Sequence, residues 1–229
     1  MLNYIIKMKK GLLKNLMIIA LLLSIGSAFS QPFKAEINAF MKSDSINMPA
    51  QGGILFVGSS SFTKWKDVQA YFPGFPIINR GFGGSSLPDV IYYAEQTILK
   101  YKPKQIYIYC GENDLAGSND VTADTVLKRF KQLFSIIRKN LSKKTEVVFV
   151  SIKPSVSRWK LEEKFVETNE KIKKYIESKS HASFVNVHNS MLKPDGEVMT
   201  DIFISDNLHM NPKGYAIWQG IIAPTLKRD

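Results

Sequence analysis

Cysteine is almost missing from this chain of 229 residues. Cys110 is the single thiol, so no intrachain disulfide can form and the fold must be held by its core. Histidine is scarce as well, with His181, His188 and His209. The three are scattered, and no paired His/Cys spacing of a metal site exists. No nucleic-acid motif, internal repeat or low-complexity stretch occurs, and no linker comes after residue 31. The apolar run that stands out, residues 16–29, falls short of the ~20 residues a membrane span needs.

That run comes after a basic head of Lys7, Lys9, Lys10 and Lys14 and leads into small residues at Ala28 and Ser30. This is the layout of a secretory signal peptide cut after Ser30, with an uncleaved membrane anchor as the other reading. No cysteine lies near the cut, which argues against a lipid anchor. The expectation is therefore a signal peptide at 1–30, a single domain at 31–229, a secreted or periplasmic product and no stable span after cleavage. Net charge is +11; the four lysines and no acids of residues 1–30 leave +7 for the rest. That charge is spread along the chain, which reads as a solvated face and not as a nucleic-acid partner. Composition is 45% hydrophobic and 22% charged, enough for one sizeable core.

Near-continuous apolar runs at 54–57, 77–79, 105–110, 146–151 and 184–187 have the Val/Ile/Phe/Tyr content of strands buried on both faces. Between them lie helical patterns. The clearest places Ala123, Val126, Leu127, Phe130, Leu133, Phe134 and Ile137 on one stripe. Others fit 87–99, 161–176 and 212–226, the last opening on Pro212. Alternation of this kind predicts an α/β chain, a three-layer α/β/α sandwich about a parallel sheet of about five strands, flavodoxin-like in arrangement. Ligand chemistry then belongs at the carboxyl ends of the strands.

The segments just past those ends are polar or glycine-rich. Gly58-Ser59-Ser60-Ser61 succeeds the first run, and Asn79 to Ser85 the second. Gly111-Glu112-Asn113-Asp114 succeeds the third, and Asp206 to His209 comes some twenty residues after the fifth. Asp206 and His209, three apart, can face each other so that the carboxylate holds one ring nitrogen and frees the other as a base. A serine within reach of that base can attack a carbonyl. The Gly84 N–H and the Asn113 amide suit the oxyanion that results. A dinucleotide fingerprint through Gly81 and Gly83 fails, since its third glycine would be Ser86 and no acid stands about 20 residues on.

These four blocks resemble the SGNH, or GDSL, hydrolases. The Gly-Asp-Ser-Leu block of that family aligns on Gly58 and makes Ser60 the nucleophile, with Ser59 in the aspartate place and Ser61 in the leucine place. Asn-x-Gly-x-x-Gly maps onto Asn79, Gly81 and Gly84, Gly-x-Asn-Asp onto Gly111, Asn113 and Asp114, and Asp-x-x-His onto Asp206 and His209. The resemblance implies the SGNH hydrolase fold and a catalytic set of Ser60, Asp206 and His209. It also implies an oxyanion hole of the Ser60 N–H, Gly84 and Asn113, with no cofactor. Ser59 in place of the aspartate is the one departure, and it leaves the hydrogen bonding of that loop open.

The implied activity is hydrolysis of carboxylic esters through an acyl-enzyme. The compact chain and export favour short acyl groups such as acetyl, on a small-molecule or carbohydrate ester. Lysophospholipase or thioesterase action on the same fold is the alternative, and a non-catalytic glycan-binding module is the reading from another class. His188, just past the fifth run, is the rival base, with no acid three residues before it. Cys110 and Asp114 read as structural, and Trp65, Trp159 and Trp218 as core residues more than a sugar platform.

Overall fold

The computed structural model describes residues 31–228. The chain divides into Met1–Lys34 and Ala35–Asp229. In the described part of the first unit, the Lys34 N–H bonds back to the Gln31 carbonyl at 3.2 Å. The expected signal peptide lies outside the described residues.

The elements run α1 (Lys34–Ile46), β1 (Ile54–Gly58), α2 (Ser60–Thr63), α3 (Val68–Tyr71), β2 (Ile77–Gly81), α4 (Leu87–Tyr92) and α5 (Ala94–Thr97). They continue with β3 (Gln105–Tyr109), α6 (Glu112–Gly117), α7 (Ala123–Asn140), β4 (Glu146–Val150), α8 (Glu162–Glu177), β5 (Ala182–Val185) and α9 (Pro212–Ile222). The five strands form one parallel sheet in the order β2-β1-β3-β4-β5. β1, β3 and β4 are buried along their whole length, as inner strands covered on both faces must be.

Side chains alternate between the two covered faces. Ile54, Phe56, Tyr107, Tyr109, Val148 and Val150 pack on one side into a cluster with Trp65, Phe72, Tyr215 and Trp218. This face is rich in rings: Phe56 meets Tyr107 at 4.9 Å, and Tyr109 meets Trp218 at 4.9 Å. On the other side Phe149 meets Phe130 of α7, also at 4.9 Å. Trp65 and Trp218 are thus core residues, as expected, whereas Trp159 is 38% exposed.

Three expectations need correction. The fifth strand starts two residues earlier than the apolar run at 184–187 and ends at Val185. Beyond it, the Val187 and His188 N–H groups donate to the Ser151 hydroxyl at 2.9 and 3.1 Å, so a side chain takes the place of a ladder partner. The helix expected over 87–99 is broken into α4, α5 and a 3-10 turn at Leu99–Tyr101, with Tyr93 (φ −96°, ψ 17°) between α4 and α5. The helix expected over 212–226 ends at Ile222 and passes into a 3-10 turn, Ala223–Thr225, that contains Pro224.

α1 was not expected at all. It buries only Ile37 and Asp44, so it carries no apolar stripe to read. A polar anchor holds it instead. Asp44 accepts from Arg80 of β2 at 2.5 Å and from the Tyr101 hydroxyl at 2.6 Å, and it pairs with Lys100. The Arg80 guanidinium lies over the rings of Phe40 and Tyr101. Burial pushes the Asp44 carboxyl up, but its bonds with Lys100, Tyr101 and Arg80 outweigh this and hold it below its ordinary value. A carboxyl depressed by folding adds stability above its unfolded pKa, and that stability is lost as pH falls through the folded value. Asp44→Ala should therefore cost about 2 kcal/mol at neutral pH, because it takes the carboxylate from a half-buried guanidinium and from the Tyr101 hydroxyl. In urea titrations the gap between variant and parent should narrow below about pH 4. Equal midpoints at neutral pH would show that the anchor contributes nothing.

Candidate active site

The site lies where β1, β2 and β3 end together. Gly58, at the last residue of β1, has φ +128°, and a Cβ there would sit 2.0 Å from the Tyr109 carbonyl oxygen. The turn this permits is tied on both sides. The Ser59 N–H donates to the Tyr109 carbonyl and the Phe82 N–H to the Gly58 carbonyl, each at 2.9 Å. α2 then begins at Ser60 and runs close against β2. A Cβ on Gly81 would come within 2.6 Å of Phe62 Cβ. Asn79 fastens the pair by donating to the Phe62 and Trp65 carbonyls at 2.7 and 3.3 Å.

The three serines face three ways. Ser59 is buried, and its hydroxyl accepts from Asn113 Nδ2 at 2.6 Å. Ser61 is buried and hydrogen-bonded to the Tyr109 hydroxyl. Ser60 alone opens to the cleft, with Oγ 2.9 Å from His209 Nε2. The other ring nitrogen, Nδ1, is 2.6 Å from Asp206 Oδ2. Asp206 Oδ1 accepts from the Leu208 and His209 N–H groups at 2.9 and 2.8 Å, which folds the Asp-x-x-His turn onto its own carboxylate. Burial raises the Asp206 carboxyl, but the His209 ring, these N–H bonds and the His209 charge outweigh it and bring it down to about 2.

Gly84 and Asn113 lie together beside Ser60 in an open cleft of about 440 Å³. A Cβ on Gly84 would be 3.6 Å from Asn113 Nδ2. The Ser60 N–H belongs to the first turn of a helix, where no intrahelical acceptor exists. The loop carrying Gly84 is pinned from both ends. The Gly83 N–H donates to Glu36 of α1 at 2.9 Å, and the Leu87 N–H donates to Asp114 at 2.9 Å. Asp114 also pairs with Arg129 at 2.7 Å and is buried, so it has the structural place expected of it.

The rival groups lie elsewhere. His188 is buried, with Nε2 2.7 Å from Glu162 and Nδ1 3.3 Å from Asn189, and it hydrogen-bonds to none of the site residues. His181 precedes β5, at the opposite end of the sheet. Cys110 is buried beneath the Ser85 carbonyl, and burial pushes its thiol up. Among the described residues no group of three His, Cys, Asp or Glu side chains is placed to hold a metal.

Three site residues escaped the sequence reading. Arg158, in the 3-10 segment Val156–Leu161 beyond β4, lines the cleft and donates to Asn113 Oδ1 at 2.8 Å. It also pairs with the buried Glu112 at 3.1 Å. Lys153, fully buried, lies 3.5 Å from the same Glu112 oxygen, and the Tyr109 hydroxyl donates to the other one. For Arg158 and Lys153 the available signal is charge just past the apolar run Val147–Val150 of the fourth strand, whose end carries no glycine-rich block.

The sequence profile described as the GDSL-like Lipase/Acylhydrolase family matches residues 50–217. No curated protein matches. Among solved structures, one from Streptococcus pneumonia provisionally named a platelet activating factor superimposes with a TM-score of 0.73 at 19% identity, covering 96% of this chain and 99% of its own. A GDSL-like lipase from Bacteroides thetaiotaomicron gives 0.70 at 18% identity, over 83% and 97%. An acetylxylan esterase from Geobacillus stearothermophilus gives 0.62 at 14% identity, over 79% and 96%. At these identities the likeness is one of fold.

The Asp206–His209 pair makes a prediction about pH. An NMR titration of the Asp206 carboxyl should find it ionised down to about pH 2. The acid limb of any activity that depends on this pair should then owe nothing to that carboxyl above about pH 3. A carboxyl signal that titrates at about pH 4, the ordinary aspartate range, would show that the pair does not hold it ionised.

Proposed function

The chain belongs to the GDSL-like Lipase/Acylhydrolase family and is an ester-hydrolysing hydrolase; on that footing we propose that Ser60 is its nucleophile and that its substrates are short acyl esters, acetyl above all, of a carbohydrate. The observation that carries the first part is the line of hydrogen bonds from Asp206 through His209 to Ser60, at 2.6 and 2.9 Å. With Nδ1–H held by Asp206, Nε2 is left to accept the Ser60 proton as Oγ attacks the ester carbonyl. The negative oxygen that forms is met by the Ser60 and Gly84 N–H groups and by Asn113 Nδ2. His209 then gives its proton to the leaving alcohol. Water, deprotonated by the same ring, attacks the acyl-serine, and the carboxylic acid leaves.

The cleft lining supports the substrate reading. Of Ser60, Thr63, Lys64, Lys66, Gly83, Gly84, Asn113, Arg158, Leu208 and His209, only Leu208 is an aliphatic side chain without a polar end. A long acyl chain gains about 0.8 kcal/mol for each methylene it buries in apolar surroundings, and here those come from Leu208 and the stems of Lys64, Lys66 and Arg158, with no run of aliphatic side chains to follow. Hydroxyl, ammonium and amide groups instead suit a polyhydroxylated alcohol. The acetylxylan esterase that shares the fold adds support by analogy. Lysolipid or thioester cleavage is the reading that an apolar groove would have favoured.

Export rests on residues 1–30 alone, with their basic head, apolar run and small residues at 28 and 30. Secreted or periplasmic protein beginning at Gln31 would bear it out, and full-length chain kept in membranes would favour an anchor.

The function is tested with fluorophosphonate labelling and a series of para-nitrophenyl esters. Label should map to Ser60 and vanish in His209→Ala. Ser60→Ala should be folded and inert, and Asp206→Asn should lose about 10⁴-fold in kcat. Activity, kcat/KM, should fall steadily from acetate to longer acyl groups. Label on Ser59 or Ser61 would move the nucleophile, and a preference for long chains would overturn the short-acyl reading.

A further inference from the structure

Asn113 has a side chain that can face either way. Rotating its amide by half a turn exchanges Oδ1 and Nδ2, and only the orientation with Nδ2 toward Ser60 and Gly84 supplies a donor to the reacting oxygen. Something must choose between the two. Near Nδ2 the partners are acceptors, the Ser59 hydroxyl at 2.6 Å and the Ser85 carbonyl at 3.2 Å. Near Oδ1 stands Arg158, a donor with no acceptor capacity, at 2.8 Å. A turned amide would point its NH₂ at the guanidinium and its oxygen at a carbonyl.

We propose that Arg158 is a positioning residue for ester hydrolysis: its guanidinium grips Glu112 and Asn113, adjacent in the chain, and thereby fixes and polarises the Asn113 amide as an oxyanion donor. This rests on the reading of Asn113 as such a donor. One terminal nitrogen takes Glu112 Oε1 at 3.1 Å and the other takes Asn113 Oδ1 at 2.8 Å. A planar fork can hold two oxygens at once in a way a lysine ammonium cannot match. Glu112 is itself immobilised by Lys153 and by the Tyr109 hydroxyl, so the grip is anchored in the buried layer under the cleft. A cation on the amide oxygen draws electron density from nitrogen and strengthens its N–H as a donor. Both resting acceptors of that NH₂ are neutral. A developing oxyanion is the stronger acceptor and draws an N–H away from the longer, 3.2 Å bond.

The alternative is that Arg158, which also lines the cleft, binds substrate directly. Kinetics separates the two. On para-nitrophenyl acetate, Arg158→Ala should lower kcat about 10–100-fold, less than or equal to the loss of an oxyanion donor, and leave KM within about twofold. Arg158→Lys should fail to restore kcat, and added guanidine should partly restore it in Arg158→Ala. In an Asn113→Ala background the Arg158→Ala effect should disappear, because the amide it acts through is gone. Glu112 keeps Lys153 and Tyr109 in these variants, so melting temperature should fall only modestly.

An activity-free readout runs beside this. The two Asn113 side-chain amide protons should give separate, exchange-protected NMR signals in the parent and in Ser60→Ala, and lose that protection in Arg158→Ala. A rise in KM with unchanged kcat, an undiminished Arg158→Ala effect without Asn113, or unaltered amide signals would each overturn the proposal. A parent that cleaves no ester would instead sink the proposed function, and the amide signals would still decide whether the grip exists.

Discussion

At Gly58 a methyl group would stand 2.0 Å from the Tyr109 carbonyl oxygen, so the chain can leave the first strand this way only without a side chain. Much of the site depends on that crowding. The bare backbone lets the β1 and β3 ends lie close enough for the Ser59 N–H to reach Tyr109 and for the Phe82 N–H to reach Gly58. Three strand ends are thereby tied before any catalytic side chain is placed. α2 starts within one residue of the tie, and its first residue is Ser60. The proposed nucleophile, placed this way, needs no loop to order around it, which is what a preorganised site requires.

Behind the cleft the fold accepts an expensive arrangement. Lys153 is fully buried, and burial lowers its pKa against the pull of Glu112. Removing ions from water costs several kcal/mol each, and an apolar cluster of equal volume would often be as stable. What the charges give is direction. Glu112 takes hydrogen bonds or ion pairs from Lys153, Arg158 and Tyr109, and Tyr109 in turn holds Ser61. Ser59 and Ser61 are thus both fixed from within, and the residue between them is left facing His209.

The fold was legible because the inner strands are near-continuous apolar runs and because α7 keeps a clean three-and-four spacing. The blocks around Ser60, Gly84, Asn113 and His209 were legible because each is short and local. What was hidden depends on partners distant in the chain. α1 has no stripe, since its anchor is one aspartate reaching Arg80 and Tyr101. The fifth strand is displaced because a serine side chain 36 residues away captures the N–H groups that would have extended it. Arg158 resembles any surface cation until it is seen 2.8 Å from Asn113, 45 residues earlier in the chain. The Ser59 departure also resolves in three dimensions. A neutral hydroxyl accepts from the Asn113 amide, so the aspartate charge is dispensable for that bond.

The openness of the cleft bears on the second half of the proposed cycle, the fate of an acylated Ser60. Ser60 lies in the wall of an open cleft of about 440 Å³, so water is at hand without any loop having to move. Water therefore competes from the outset with every other acceptor. On the proposed mechanism an alcohol intercepts the acyl group only if the cleft retains it long enough to outcompete water, so the balance between hydrolysis and acyl transfer rests on residence time in the cleft.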